Sequence, residues 1–214
     1  MGAKIADIRK NYSQKKLSEK KANPDPLKQF AKWWKQVVKS KTEEANAMTL
    51  ATASPDGVPS ARIVLLKDFG EKGFTFFTNY NSFKGLQLAE NPKACIVFFW
   101  KELERQVRIT GLVEKIDDEA STEYFSSRPV ESQLGAITSP QSQVIESREW
   151  LDEKFKQTKK EIGDHNIKRP LNWGGYVVKP VIYEFWQGRP GRLHDRLQYT
   201  LQERGEWKME RLAP

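Results

Sequence analysis

Glu184-Phe185-Trp186-Gln187-Gly188-Arg189-Pro190-Gly191-Arg192-Leu193-His194-Asp195-Arg196 is the stretch on which the reading turns. It opens as the end of a strand. Val181, Tyr183 and Phe185 alternate with Ile182, Glu184 and Trp186, and only Glu184 among them is polar. Gly188, Pro190 and Gly191 then break the run into a loop. Arg192, His194 and Arg196 follow at a spacing of two, which places all three on one face if the chain stays extended. Such a cationic row beside Trp186 and Phe185 suits a flat, anionic, aromatic ligand, because guanidinium groups grip phosphate and stack on rings. The competing reading is a solvated basic edge strand. One of only two histidines in the chain lies in the cluster, which weighs towards a site.

Working outward, 214 residues suffice for one domain with a substantial core. Hydrophobic residues make up 38% and charged residues 30%, a balance typical of soluble globular chains. No apolar run is long enough to span a bilayer, and Lys4, Asp7, Arg9 and Lys10 interrupt any secretory apolar core, so no membrane association is expected. The single cysteine, Cys95, lies in an apolar run and reads as a buried thiol; with no intramolecular disulfide available, a reducing, cytoplasmic setting is expected. One cysteine and two histidines argue against a zinc site. The net charge of +8 invites a nucleic-acid reading, but much of the excess lies in residues 1–21, and no zinc-finger, RNP or helix-turn-helix signature follows. No nucleic-acid partner is therefore expected. Residues 1–23 read as a flexible basic arm ahead of a domain spanning 24–214.

Along that domain, Asp25 caps a helix with Pro26 at its first position, and Leu27, Phe30, Trp33/Trp34 and Val37/Val38 continue at helical spacing to about Lys41. Strands are predicted at Ala47–Ala53, Pro59–Leu66, Gly73–Thr78, Ala94–Trp100 (buried on both faces) and Glu104–Lys115, with residues 67–73 a loop. In the last of these strands Gln106, Arg108 and Thr110 share one face, and Val107, Ile109 and Leu112 lie mostly on the other. Ser82 caps a short helix that Asn91-Pro92 stops. Helices follow at Asp117–Ser127, Val130–Ile137 and Ser147–Ile162, and His165 lies in a charged, solvated linker. Strands return at Gly174–Pro180, Val181–Gln187, Leu193–Gln202 and Trp207–Leu212. Seven or eight hairpin-linked strands with inserted helices describe a mainly β chain with peripheral helices, forming a closed or partly closed antiparallel barrel. No Gly-rich strand-to-helix fingerprint marks a Rossmann site.

Candidate binding groups are scattered through these elements. Arg62 lies on a strand that ends in Lys67, and Lys84 lies at a helix N-terminus, where free amides favour phosphate. Gln106 and Gln141-Ser142 offer neutral donors and acceptors suited to the carbonyl and imide edge of a heterocycle.

In order, Arg62-Ile63-Val64-Leu65-Leu66-Lys67, Phe77-Thr78-Asn79, Ser82-Phe83-Lys84-Gly85, Arg105-Gln106-Val107-Arg108, Tyr124-Phe125-Ser126-Ser127-Arg128-Pro129, Ser132-Gln133-Leu134-Gly135-Ala136, Ser139-Pro140-Gln141-Ser142, Trp173-Gly174-Gly175, Glu184-Phe185-Trp186-Gln187-Gly188, Arg192-Leu193-His194-Asp195-Arg196 and Arg211-Leu212-Ala213-Pro214 resemble the pyridoxine (pyridoxamine) 5'-phosphate oxidase family. The likeness runs from about Arg9 to Pro214. It implies an FMN-binding split β-barrel working as a homodimer, with FMN between the subunits. By the resemblance, Arg62 and Lys84 hold the FMN phosphate; Ile63, Val64, Leu65, Lys67, Phe77 and Thr78 line the flavin; and Gln106, Gln141, Ser142, Trp186 and Arg196 complete that site. Lys67, Tyr124, Arg128 and Ser132 bind the substrate phosphate, with Arg192 and His194 at the pyridine ring as the catalytic pair. Arg9 and Tyr12 match a lid over the ligand, a reading that competes with plain disorder of the arm. The implied reaction oxidises pyridoxine or pyridoxamine 5'-phosphate to pyridoxal 5'-phosphate, with O2 reduced to H2O2.

One departure stands out. The family usually carries arginine where this chain has Phe83, which removes a cation beside Lys84. The alternatives are another FMN split-barrel oxidoreductase, a non-catalytic pyridoxal-phosphate or FMN carrier, and a basic RNA-binding protein. The Tyr124, Arg128 and Ser132 cradle discriminates against a general flavin reductase, which needs no second phosphate site.

Overall fold

The computed structural model describes residues 4–8, 10–163 and 167–214. Arg9 and His165, both singled out above, lie outside the described residues. The described chain forms two compact units, one built from the segments within 1–49, 95–111 and 180–214, the other from 50–94 and 112–179.

In the first unit, α1 (Pro26–Lys39) begins where the sequence places it. Asp25 accepts from the backbone N–H groups of Leu27 and Lys28, and Pro26 occupies the first turn, where its missing N–H costs nothing. The helix turns Phe30, Trp33 and Val37 inward and leaves Val38 exposed. Phe30 meets Phe98 and Trp100 at ring-centroid distances of 5.3 and 6.0 Å, and Trp33 stands edge-on to Phe185 at 5.3 Å. Phe98 and Trp100 belong to β5 (Lys93–Trp100), and Phe185 to β7 (Trp173–Gln187). The end of β7 pairs antiparallel with β8 (Asp195–Leu201), Phe185 opposite Leu197, and β8 pairs with β9 (Trp207–Leu212).

The second unit contains β2 (Pro59–Leu65), β3 (Asp68–Gly70), β4 (Gly73–Asn79) and four helices: α2 (Phe83–Glu90), α3 (Asp118–Ser127), α4 (Val130–Thr138) and α5 (Arg148–Ile162). β4 pairs antiparallel with the first half of β7, Phe76 opposite Tyr176 and Thr78 opposite Gly174. Phe125, Leu134, Ile167 and Trp173 form a core cluster beneath α3 and α4. β1 (Ala47–Ala53), β5, β6 (Arg105–Lys115) and β7 contribute residues to both units, and hydrogen-bonded neighbours follow the order β2-β1-β5-β6-β7-β4-β3, with β8 on β7.

Several expectations need correction. β7 is one strand, not two. Pro180 lies at its midpoint without breaking it, a position that proline tolerates only where its absent N–H is not needed by a ladder. Residues 68–70, read as loop, form β3 by pairing Asp68 with Thr75. β5 alternates buried and less buried positions rather than being covered on both faces, with Phe99 53% exposed and Cys95 half-buried. Along β6, Leu112 faces outward with the polar set, as strict period two requires. Most importantly, Arg192, His194 and Arg196 do not form an extended row. Pro190–Arg192 closes a 3-10 turn and Arg192 has φ 61, so β8 starts only at Asp195.

The start of α2 depends on a glycine. A Cβ on Gly85 would run into the backbone carbonyl of Tyr80 and come within 2.9 Å of the Asn79 carbonyl oxygen. Gly85→Ala is expected to cost about 1–3 kcal/mol through overpacking. Thermal unfolding checks this; an unchanged midpoint would contradict the close packing of α2 on the 79–82 turn.

Candidate functional site

In the second unit, β2, β4, α2 and the α3–α4 junction surround a cleft of about 480 Å³. Its lining includes Arg62, Ile63, Val64, Leu65, Lys67, Phe77, Thr78, Lys84, Tyr124, Arg128, Ser132 and Gln141, so twelve candidates drawn from the sequence converge on one space. Alternation along β2 half-buries Arg62 and Val64 and leaves Ile63 and Leu65 exposed.

Two of the cations are held by neutral oxygens. Arg62 donates from Nη1 to the Thr52 hydroxyl at 2.6 Å and the Leu50 carbonyl at 3.2 Å, and from Nη2 to the Ser60 hydroxyl at 2.6 Å. Lys84 is 8% exposed and donates to Thr78 Oγ1, Ser82 Oγ and Gln141 Oε1, each at 3.2 Å. Among the described residues, no carboxylate bonds to either. Burial, with Arg62 nearby, lowers the Lys84 pKa from 10.5 to about 8, and burial also lowers that of Arg62. Ser82, which accepts from Gly85 N, fixes the first turn of α2 and so the direction of the Lys84 side chain.

The opposite wall is aromatic. Phe77 stacks on Tyr124 at 3.8 Å and on Trp173 at 5.6 Å. The Arg128 guanidinium lies 4.5 Å from the Trp173 ring, and Lys67 Nζ lies 5.8 Å from that of Tyr124. Pro129 ends α3 and leads into α4, which carries Ser132 into the cleft. Among the described residues, Arg128 Nη1 is the one buried side-chain nitrogen or oxygen without a hydrogen-bond partner. A buried, unanswered guanidinium nitrogen is costly and points to an anionic guest.

The first unit holds a second cleft of about 590 Å³, lined by Tyr12, Arg189, Arg192 and His194 with residues of the N-terminal segment. His194 packs 4.6 Å from Trp186 and 6.0 Å from Tyr12. Its Nδ1 accepts from the Arg189 backbone N–H at 3.1 Å. Burial and the charge of Arg192 lower its pKa, and acceptance at Nδ1 leaves the proton of the neutral ring on Nε2. Arg192 is exposed. Arg196 is committed elsewhere: its Nε donates to Glu184 Oε1 at 2.8 Å, while Arg108 reaches Glu184 Oε2 at 2.5 Å. Burial would raise Glu184, but the two arginines outweigh it and keep the carboxylate ionised. Gln106, on β6, is half-buried; Ser142 is exposed with φ 72 and lines neither cleft.

Two residues that matter were not singled out from sequence. Glu104, 2% exposed and left-handed at φ 55, accepts the backbone N–H groups of Ser13 and Gln14 at 2.9 and 3.1 Å and so ties down the segment that carries Tyr12. Gln87, on α2, bonds both hydroxyls that hold Arg62. Nothing in a helix interior flags such a glutamine before the strands are in place.

Comparison with known proteins shows the family of the chain. Residues 34–160 match the family model described as pyridoxamine 5'-phosphate oxidase, and 173–214 match that of the pyridoxine 5'-phosphate oxidase C-terminal dimerisation region. Pyridoxine/pyridoxamine 5'-phosphate oxidases of Nostoc sp. (strain PCC 7120) and Gloeothece citriformis are 54% and 55% identical, across the full length of both chains in each case. The solved PhzG from Burkholderia lata 383, in complex with tetrahydrophenazine-1-carboxylic acid, superposes with TM-score 0.85 at 27% identity, covering 91% of this chain and 95% of that one. A pyridoxamine 5'-phosphate oxidase-related, FMN-binding protein from Nostoc punctiforme shares the fold at TM-score 0.73 and 21% identity, covering 90% and 100%. The fold class is the split β-barrel with peripheral helices.

Lys84 gives a pH signature that needs no ligand. Below about 8 it is charged in both folded and unfolded chains and its burial penalty is fully present; between about 8 and 10.5 only the unfolded chain keeps the proton, so the penalty fades as pH rises. In flavin-free protein, Lys84→Met is therefore expected to raise the melting temperature at pH 7, with the gain shrinking towards pH 10. A pH-independent difference would contradict the buried, uncompensated ammonium.

Proposed function

Because the chain belongs to the pyridoxamine 5'-phosphate oxidase family, we propose that it oxidises pyridoxine 5'-phosphate and pyridoxamine 5'-phosphate to pyridoxal 5'-phosphate with FMN as cofactor. The observation that carries this reading is the charge of the second unit's cleft. Among the described residues, Arg62 and Lys84 answer only neutral oxygens and Arg128 Nη1 answers nothing, around a stack of flat rings. That donor set fits phosphorylated planar guests. Arg62 and Lys84 take the FMN phosphate, helped by the open amides of α2. Ile63, Val64, Leu65, Lys67, Phe77 and Thr78 line the flavin, and Gln106, Gln141, Ser142 and Trp186 complete its surroundings. Arg196 contributes there chiefly as a hydrogen-bond donor, its charge offset in part by Glu184, which it shares with Arg108.

FMN held there would supply a two-electron acceptor for the hydride of the substrate C4' carbon, with O2 as the final oxidant giving H2O2; for the amine substrate, water would hydrolyse the resulting imine and release ammonia. The protein's own part is alignment. Lys67, Tyr124, Arg128 and Ser132 hold the substrate phosphate. Arg192 covers the face of the pyridine ring. His194, neutral with its proton on Nε2, donates a hydrogen bond that orients the substrate; Arg189 N–H on Nδ1 keeps the ring in that tautomer. Tyr12, packed against Trp186 and His194, closes the approach as a lid, with Arg9 in the same segment.

The chain works as a homodimer with FMN between its copies. Two facts support this: the match of residues 173–214 to a dimerisation region, and the apolar exposure of Val58, Ile63 and Leu65, which are 59%, 65% and 37% accessible in the single chain. Phe83, first in α2, is likewise exposed at 54%, so the arginine usual in the family is replaced by an outward-facing ring.

Arg192→Ala is expected to lower kcat/KM for pyridoxine 5'-phosphate roughly 100-fold through lost alignment, with bound flavin unchanged. Peroxide release is the assay. Near-normal turnover by the variant would reject the role of Arg192, and absence of peroxide from the wild-type enzyme would reject the oxidase reading.

A further inference from the structure

Helix α2 controls both phosphate-site cations, though only Lys84 projects from its first turn. One turn later stands Gln87, 4% exposed. Its Oε1 accepts from the Thr52 hydroxyl and from the Ser60 hydroxyl, each at 2.6 Å. These are the same hydroxyls that accept from Arg62 Nη1 and Nη2. A hydroxyl has a single proton. With that proton spent on Gln87, both oxygens present lone pairs to the guanidinium. The result is a closed fork in which one amide oxygen fixes two hydroxyls and the hydroxyls fix two ends of one arginine. No member carries negative charge, so the arginine is oriented without being neutralised.

We propose that Gln87 is a positioning residue for the cofactor phosphate: it sets Thr52 and Ser60 so that Arg62 is aimed and fully charged before ligand arrives. This rests on the reading that Arg62 binds the FMN phosphate. An acidic residue in place of Gln87 would orient the same hydroxyls but partly cancel the charge, whereas an apolar one would release them. The amide suits an anion site that has to be both rigid and electropositive. The linkage also makes α2 a common base: the spacing of three between Lys84 and Gln87 puts them on adjacent turns, so the helix holds both cations in register.

The test uses the full-length protein freed of flavin and titrated with FMN and with riboflavin, which lacks the phosphate. Gln87→Met keeps the side-chain length and removes the acceptor. It is expected to weaken FMN about tenfold and riboflavin less than about twofold, as loss of an orienting hydrogen-bond pair implies. In an Arg62→Ala background the same change is expected to have no effect on FMN, because Gln87 acts through Arg62. Ser60→Ala, which cuts one arm of the fork at a less buried position, is expected to show the same selectivity and serves if Gln87→Met does not fold. Equal losses for FMN and riboflavin, or an undiminished loss in the Arg62→Ala background, would overturn the proposal and leave Gln87 a packing residue. A wild-type protein that binds both flavins equally, and is indifferent to Arg62→Ala, would instead remove the phosphate role of Arg62 itself.

Discussion

Two positive charges share one cleft with no carboxylate among its described lining residues, and the rest of the second unit is arranged so that they stay charged and stay put. Burial lowers the pKa of both Arg62 and Lys84, and the nearby Arg62 charge lowers that of Lys84 further. Folding tolerates the arrangement because Arg62 Nη1 and Nη2 and Lys84 Nζ find neutral oxygens to bond. Satisfied but not neutralised, the pair is left with attraction for an anion from outside. The close approach of Gly85 to the Tyr80 carbonyl, the Ser82 cap and the Gln87 fork are separate devices with one effect: they hold α2 and β2 where the two cations point the same way.

The first unit solves the opposite problem. Glu184 would be costly as a lone buried carboxylate, and it becomes the joint partner of Arg108 and Arg196. Arg108 and Arg196 are thereby fixed and reduced in net charge, while Arg192 is exposed in the turn after Pro190. Burial and the neighbouring Arg192 cation lower the His194 pKa, and the Arg189 N–H occupies its Nδ1. Within a few residues of sequence the chain therefore offers one cation for charge, one for hydrogen bonding and one neutral donor.

Much of this was legible beforehand, and the failures have physical causes. Helix starts at Asp25, Ser82, Asp117 and Ser147 were readable because cap residues act locally. The convergence of Arg62, Lys84, Arg128 and Tyr124 was not derivable from spacing; it came from motif resemblance, and long-range strand pairing produces it. The expected row of Arg192, His194 and Arg196 failed because the Pro190–Arg192 turn, with positive φ at Gly191 and Arg192, breaks the period-two geometry the expectation assumed. β7 read as two strands because Pro180 is a local stop signal, overridden here by pairing on either side of it. Gln87 and Glu104 were invisible because their importance lies in partners distant in the chain.

The central claim is that these charges bring a phosphorylated pyridine and a phosphorylated flavin into hydride-transfer contact. Anaerobic mixing of the FMN-loaded enzyme with pyridoxamine 5'-phosphate tests it most directly. Bleaching of the visible flavin band in a single turnover, with pyridoxal 5'-phosphate formed in equal amount and the colour returning on admission of O2, is the expected result. An oxidised flavin spectrum that persists at saturating substrate would contradict the account.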